Sequence, residues 1–202
     1  FCEMDDRRAS SLEQRCLHDY HHANVALVHG DVNDMTGSIV DQIPPHSPGR
    51  GVLAFCFVDP CKMSDLRFRT LEALAHRRMD FLVLIPSEMD AQRAEHLYRE
   101  TGNRVVDEFL GDKQWRAHWQ QDSGRGKRFE QFIVEQFGQS MSRIGYLDPG
   151  LDTSFVMRNT RNRTLYRLVL YSKAKIATTF WRQAQKYSQP NRDLFDGAKF
   201  VD

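Results

Sequence analysis

Three acidic residues each end an apolar, strand-like stretch of this sequence: Glu3, Asp31 and Asp59. In an open parallel sheet the ligand lies outside the carboxyl ends of the strands, so these carboxylates are expected to meet at one edge. A carboxylate at that position can accept both hydroxyls of a ribose, one to each oxygen. The pattern predicts a nucleotide-type ligand; the alternative is that the acids cap the helices that follow.

The third acid belongs to the stretch "AFCFVDPCK" at residues 54–62, where an apolar strand ends in Asp59, Pro60 and Cys61. Proline stiffens such a turn and removes one backbone N–H. We expect Asp59 and Pro60 to mark the turn at which the reacting end of the ligand lies. Cys61 beside Lys62 is a candidate nucleophile if its thiolate is stabilised, and otherwise a small non-catalytic side chain.

The composition fits one globular domain. The chain has 202 residues and is 41% hydrophobic, and no apolar run approaches the roughly 18 residues of a membrane span. No signal peptide is recognisable, so a cytoplasmic location and no membrane partner are expected. The four cysteines include no CxxC pair, and the eight histidines show no HxH or HExxH spacing, so no metal site is predicted.

Apolar strands alternate with helical patterns over the first 86 residues, which is typical of an α/β fold with a mostly parallel sheet and helices on both faces. Strands are expected at 1–4, 24–31, 52–59 and 79–86, and helices at 7–20 and 66–78. Charged helical segments at 88–142 predict a helical insertion within the same domain. The chain then returns to strand character at "FVMRN" and 164–173, predicted to be a C-terminal antiparallel hairpin, followed by a helix at 174–187.

Basic residues concentrate near the C-terminus. From residue 143 to the end there are 11 basic and 5 acidic residues, a net charge of +6, which leaves −5 for residues 1–142. Four arginines surround the predicted hairpin turn and form a candidate contact for nucleic acid or another polyanion, unless the turn is simply solvated: Arg158, Arg161, Arg163 and Arg167. Trp115 and Trp119, four residues apart, are predicted to pack in the core.

The segments "GDVND", "FVDPCK", "VDEFLGDKQW" and "YRLVLYSKAKIATTFW" resemble the bacterial three-Cys-motif partner proteins, a family with the class I S-adenosylmethionine-dependent methyltransferase fold. The resemblance extends over most of the chain, read from the second strand of that fold onward. It implies a Rossmann-like sheet, with Glu3 on the ribose, Asp31 and Val32 on the adenine, and Asp59 with Pro60 at the catalytic turn. It also implies S-adenosylmethionine as cofactor and a three-Cys-motif protein as partner.

Two features depart from the family pattern. Cys61 and Lys62 stand where the family usually has Phe-Gly, and the first strand with its glycine-rich loop is expected to lie before Phe1. Ser172 and Lys173 match a serine-lysine pair of the family, and Lys173 is a candidate to pair with a substrate phosphate or carboxylate. Two alternatives stay open: a non-catalytic interaction module on the same fold, and an enzyme that cleaves phosphodiesters with Mg²⁺ held by Asp31 and Asp59.

Overall fold

The computed structural model describes residues 1–19, 23–49 and 51–187, except the side chains of residues 89 and 187. Within this part the chain is a mixed α/β protein. Its strands are β1 (Cys2–Glu3), β2 (Val28–His29), β3 (Ala54–Val58), β4 (Met79–Ile85), β5 (Phe155–Arg158) and β6 (Thr164–Tyr171). The strands form two groups: a parallel β1–β2 pair and a four-stranded sheet in the order β3-β4-β6-β5.

Eight α-helices occur in the described residues. They are α1 (Asp6–Asp19), α2 (Thr36–Gln42), α3 (Phe68–Leu74), α4 (Glu95–Tyr98), α5 (Val105–Leu110), α6 (Trp115–Ser123), α7 (Phe129–Arg143) and α8 (Lys175–Tyr187). Short 3-10 turns at Met63–Asp65 and Leu151–Thr153 and a π-helical turn at Ser87–Ala91 complete the elements. The α/β class is confirmed, and α2 is a helix that the sequence pattern did not predict.

The expectation of a mostly parallel sheet is wrong for the four-stranded group. β3 and β4 are parallel, but β6 runs antiparallel to both β4 and β5. The reason is topological, because β5 and β6 form a hairpin that joins the sheet beside β4 after the long helical segment. The predicted C-terminal antiparallel hairpin is therefore present, and it gives the sheet its mixed character.

The core lies on one face of this sheet. Alternate residues of β4 point into it, since Phe81, Val83 and Ile85 are fully buried. Phe137 of α7 contacts the rings of Phe68 and Tyr171, at centroid separations of 6.0 and 5.8 Å. The helical segment after β4 thus supplies much of the core. Trp115 and Trp119 pack in it as predicted, against the rings of Phe129 and Phe132.

The sequence predicts that β3 is buried on both faces, but in the structure only one of its faces is covered. Ala54, Cys56 and Val58 pack toward the core, whereas Phe55 and Phe57 are 63% and 55% exposed. β3 pairs with β4 alone within the described residues, so its other edge carries no strand. An apolar edge strand with an exposed aromatic face is a surface that proteins normally cover.

Among the described residues, every helix is too short or too polar to cross a membrane.

Candidate functional site

The candidate site is the turn after β3, at the edge where β3 and β4 both end. Asp59 and Cys61 are exposed on this turn, and Pro60 between them is buried. In the described part of the chain neither exposed side chain has a hydrogen-bond or ion-pair partner. The sequence therefore places an accessible carboxylate and an accessible thiol on either side of an anchored proline.

Two other acids hold this turn in shape. Asp65 accepts the backbone N–H of Lys62 at 3.0 Å and the hydroxyl of Ser64 at 3.2 Å. Asp90, in the π-helical turn after β4, accepts the backbone N–H of Met63 at 2.7 Å. The Met63 side chain is fully buried below the turn. These bonds hold the backbone after Asp59, and the pairing of β3 with β4 holds the residues before it. A fixed backbone of this kind suits a catalytic or binding carboxylate.

Asp90 also binds Tyr98 of α4, whose hydroxyl donates to Oδ1 at 2.7 Å. Burial, and then the hydrogen bond to the carboxylate, raise the pKa of Tyr98 well above its usual range. Asp90 therefore connects the turn after β3 to the helical segment. The sequence offered one signal for it, because "SEMD" places an acid shortly after the apolar run of β4, but one of its two partners, Met63, lies 27 residues away along the chain.

Asn33 connects the second predicted acid to the same region. Its Nδ2 donates to Oδ1 of Asp31 at 2.8 Å and to the backbone carbonyl of Asp65 at 3.0 Å. Its Oδ1 accepts the backbone N–H of Arg67 and the hydroxyl of Thr70, at 2.8 and 2.9 Å. Asn33 is 8% exposed, so this buried amide joins the loop after β2 to the loop after β3.

The structure does not support the alternative reading in which Glu3 and Asp31 cap the following helices. α1 is capped by Asp5, whose Oδ1 accepts the backbone N–H of Arg8 at 2.9 Å, and α2 has no side-chain cap. Glu3 and Asp31 instead close local turns. Oε1 of Glu3 accepts the backbone N–H of Asp5 at 2.9 Å, and Oδ1 of Asp31 accepts that of Asn33 at 2.8 Å. The remaining oxygen of each carboxylate has no partner among the described residues. Glu3 and Asp31 both lie close enough to Cys2 to raise the pKa of its thiol, although burial is the larger cause.

The structure brings Glu3 and Asp31 together at the ends of the paired strands β1 and β2. Asp59 lies at the end of the other strand group. The links between the two regions include the bond from Asn33 to the carbonyl of Asp65 and the ion pair of Arg67 with Asp34 at 3.5 Å. Val32 follows Asp31 and is half-buried. The three acids therefore share one side of the molecule without a direct contact in its described part.

Lys173 lies elsewhere. Because β6 is antiparallel to β4, its end is at the edge where β4 begins. Nζ of Lys173 donates to the carbonyl of Ala75 at 3.4 Å and lies 4.7 Å from the centre of the Tyr146 ring. At about 3.3 Å per strand residue, roughly 15 Å of sheet separates Lys173 from the Asp59 turn. The structure does not bring these two candidates together.

The four candidate arginines divide into two groups. Arg158, Arg161 and Arg163 are exposed at the end of the β5–β6 hairpin. Arg167 is directed into the protein, where Nη1 donates to the hydroxyl of Ser154 at 2.9 Å. Burial lowers the pKa of Arg167, an effect opposed by the nearby carboxylates of Glu88 and Glu130. Arg167 thus belongs to the interior, and the other three form the exposed basic group.

Tyr166 of β6 is a site residue that the sequence did not single out. Its pKa is raised by burial and then by the negative charges of Cys61, Asp59 and Asp90. Because Arg167 pairs with Ile85 at the end of β4, Tyr166 lies at the same edge of the sheet as the Asp59 turn, with β4 between the two strands. The ring is half-buried, and it lies on the first half of β6, next to the arginine hairpin along the chain.

Two shallow grooves lie next to this edge. The first, of about 170 Å³, is lined by Met63, Ser64, Leu66, Arg67, Arg104, Val105 and Glu108. The second, of about 280 Å³, is lined by Arg67, Arg69, Glu72, Glu108 and Gly111. Neither groove includes one of the three predicted acids. In the described chain, no group of three or more histidine, cysteine, aspartate or glutamate side chains is arranged to hold a metal ion.

Comparison of the chain with models of known families, with curated proteins and with solved structures found no match.

Proposed function

We propose that this protein is an S-adenosylmethionine-dependent methyltransferase, or a methyltransferase-like protein, of the three-Cys-motif partner type. The observation that carries the proposal is the turn after β3, where Asp59 stands exposed on a backbone braced by Asp65 and Asp90. A rigid turn with one unpaired carboxylate suits a group that positions an acceptor. Its location at the carboxyl end of parallel strands is where ligands of open α/β sheets bind.

Methyl transfer depends mainly on the alignment of the acceptor with the methyl donor. When bound, S-adenosylmethionine supplies an activated methyl group. The protein has to hold the acceptor in line with the carbon–sulfur bond, and positioning of this kind supplies a large share of a rate enhancement. Asp59 would accept a hydrogen bond from the acceptor, or take its proton as the methyl group is transferred. Cys61 would lie next to the acceptor on the same turn.

Glu3, Asp31 and Val32 would hold the nucleoside end of the cofactor. One oxygen of each carboxylate accepts a hydrogen bond within its own turn, and the other oxygen has no partner in the described residues. The second oxygen of Glu3 would accept a ribose hydroxyl, and that of Asp31 the adenine amino group. Asn33 fixes Asp31 relative to the Asp59 turn, so the two ends of the ligand site would keep a constant separation.

The gap between the two strand groups also supports the Rossmann-like arrangement. A further parallel strand between β1 and β3 would join the pair to the four-stranded sheet and cover the unpaired edge of β3. In this proposal the inserted strand carries the glycine-rich loop toward the cofactor.

Calorimetric titration of the full-length protein with S-adenosylhomocysteine tests the proposal. We expect one site per chain, and weaker binding in Glu3→Gln and Asp31→Asn because each loses the anionic acceptor. Asp41→Asn is the matched control, since Asp41 is exposed on α2 and has no partner in the described chain. Absence of binding to the unaltered protein would overturn the proposal.

A non-catalytic interaction module on the same fold is the second candidate. It is favoured by the two grooves, neither of which includes Glu3, Asp31 or Asp59. In this case the arginine hairpin would be the contact for the partner, which the resemblance suggests is a three-Cys-motif protein. Unchanged thermal stability on addition of S-adenosylhomocysteine, together with retained partner binding, would favour this candidate over the enzyme.

A further inference from the structure

We infer that the β5–β6 hairpin binds the phosphate backbone of a nucleic acid, and that the acceptor presented to Asp59 is a base of that molecule. The inference rests on the proposed function, because it names the substrate class of the same site. It depends on three observations: the charge of the C-terminal elements, the construction of the hairpin turn and the position of the hairpin in the sheet.

The charge of these elements has a single sign. Residues 153–187 contain eight lysines and arginines and no aspartate or glutamate, in a chain with 27 acidic residues. β5, β6 and α8 therefore contain no acid that could neutralise their own basic side chains. Arg161 and Arg163 are exposed and have no acidic partner anywhere in the described residues. Such a concentration of positive charge attracts a polyanion and raises its rate of association.

The hairpin turn is ordered by its own hydrogen bonds. Oδ1 of Asn159 accepts the backbone N–H groups of Arg161 and Arg163, both at 3.0 Å. Nη1 of Arg158 donates to the carbonyl of Asn162 at 3.1 Å, and Asn162 adopts the left-handed conformation with φ of 58°. Asparagine tolerates this conformation better than most residues. The arginines thus start from a fixed backbone, which lowers the entropy lost when they bind phosphates.

The hairpin extends from the edge that carries Asp59. Arg167 of β6 pairs with Ile85, the last residue of β4, so the start of β6 and the hairpin turn lie beyond the ends of β3 and β4. Tyr166, one residue before Arg167, lies beyond the end of β4 at the same edge as Asp59, with β4 between their two strands. A strand whose phosphates contact the hairpin would therefore bring its bases toward an aromatic ring and a carboxylate.

These features favour nucleic acid over an acidic protein. The guanidinium group donates two parallel hydrogen bonds to a phosphate, which suits the exposed Arg161 and Arg163 of the hairpin. The ring of Tyr166 can stack on an unpaired base. An acidic peptide would pair with the arginines but has no base to stack on the ring of Tyr166.

Fluorescence anisotropy of the full-length protein with a labelled 20-nucleotide single-stranded DNA of mixed sequence, measured over a range of salt concentrations, tests the inference. We expect Arg161→Gln/Arg163→Gln to weaken binding at least tenfold at low salt and to reduce the slope of log K against log salt by about 1.4, at about 0.7 per phosphate contact. Tyr166→Leu should weaken binding about fivefold without changing that slope, because stacking releases no counterions.

Arg15→Gln/Arg69→Gln is the control, since it removes the same charge from exposed positions of α1 and α3; we expect its affinity to stay within twofold of the unaltered protein. Equal loss in both double variants, or equal competition by unlabelled DNA and by polyglutamate of the same charge, would overturn the inference.

S-adenosylhomocysteine titrations of the same samples separate the two proposals. Cofactor binding without DNA binding overturns this inference alone, and DNA binding without cofactor binding overturns the methyltransferase.

Discussion

The backbone N–H of Met63 donates a 2.7 Å hydrogen bond to the carboxylate of Asp90, across 27 residues of chain. The bond ties the turn after β3 to the turn after β4, at the edge of the sheet where both strands end. Through its second oxygen Asp90 holds the hydroxyl of Tyr98. Together with Asp65, Asp90 thus braces the backbone next to the exposed Asp59, and both of its own oxygens are used in protein contacts.

Replacement of Asp90 should destabilise the protein. Asp90→Ala leaves the N–H of Met63 and the hydroxyl of Tyr98 without their acceptor, and we expect a loss of about 2–3 kcal/mol in the free energy of unfolding. Urea unfolding followed by circular dichroism measures it. Asp41→Ala, at an exposed position of α2, should change the value by less than about 0.5 kcal/mol. Equal values for the two variants would show that the Asp90 contacts are not formed.

Truncation of a side chain should lower the free energy of unfolding more on the buried face of the sheet than on its exposed face. Phe81 of β4 is fully buried, so Phe81→Ala should cost about 3–5 kcal/mol. Phe57 of β3, on the opposite face, is 55% exposed, and Phe57→Ala should cost less than about 1.5 kcal/mol. Urea unfolding of both variants makes the comparison. A large loss for Phe57→Ala would mean that another segment covers this face in solution.

The thiols of Cys61 and Cys56 should react at different rates. Cys61 is exposed, whereas burial raises the pKa of the Cys56 thiol to about 11. Since the thiolate is the reactive form, roughly a thousandth of Cys56 is reactive at about pH 8. We expect iodoacetamide to alkylate Cys61 well before Cys56, as measured by peptide mass spectrometry. Both should react alike in urea; rapid alkylation of Cys56 in the native protein would contradict the packing of β3.

Stability should fall at alkaline pH. Burial is the largest cause of the raised pKa values of Tyr98, Tyr146 and Tyr171. Above about pH 10 the unfolded chain loses tyrosine protons that the folded chain retains, so the free energy of unfolding decreases as pH rises and is unaffected by these groups at lower pH. Urea unfolding from about pH 8 to about pH 11 measures the slope. It should be shallower in Tyr98→Phe, and an unchanged slope would argue against a buried Tyr98.

The order of the main elements could be predicted from the sequence. The apolar run of β4, the helical pattern of α3 and the "TRNR" turn between β5 and β6 are local features, each set by side-chain periodicity or turn chemistry within a few residues. For the same reason the placement of Asp59 at a strand end was predictable, and so was the core packing of Trp115 and Trp119.

Contacts between distant segments could not be predicted in this way. The antiparallel pairing of β6 with β4, the remoteness of Lys173 from Asp59 and the partial burial of Arg167 all follow from how the hairpin joins the sheet. Sequence periodicity identifies a strand but carries no information about its neighbours.

The sequence by itself determined the approximate positions of most strands and helices, although not of α2, and the presence of an acid at or just after the end of three strands. Only the tertiary structure decided that Asn33 and Asp90 brace the site, because each depends on partners 27 to 37 residues away. Folding selects such bonds for buried polar groups, whose desolvation is offset only when every donor and acceptor finds a partner. Those partners are set by the packing of the helices against the sheet.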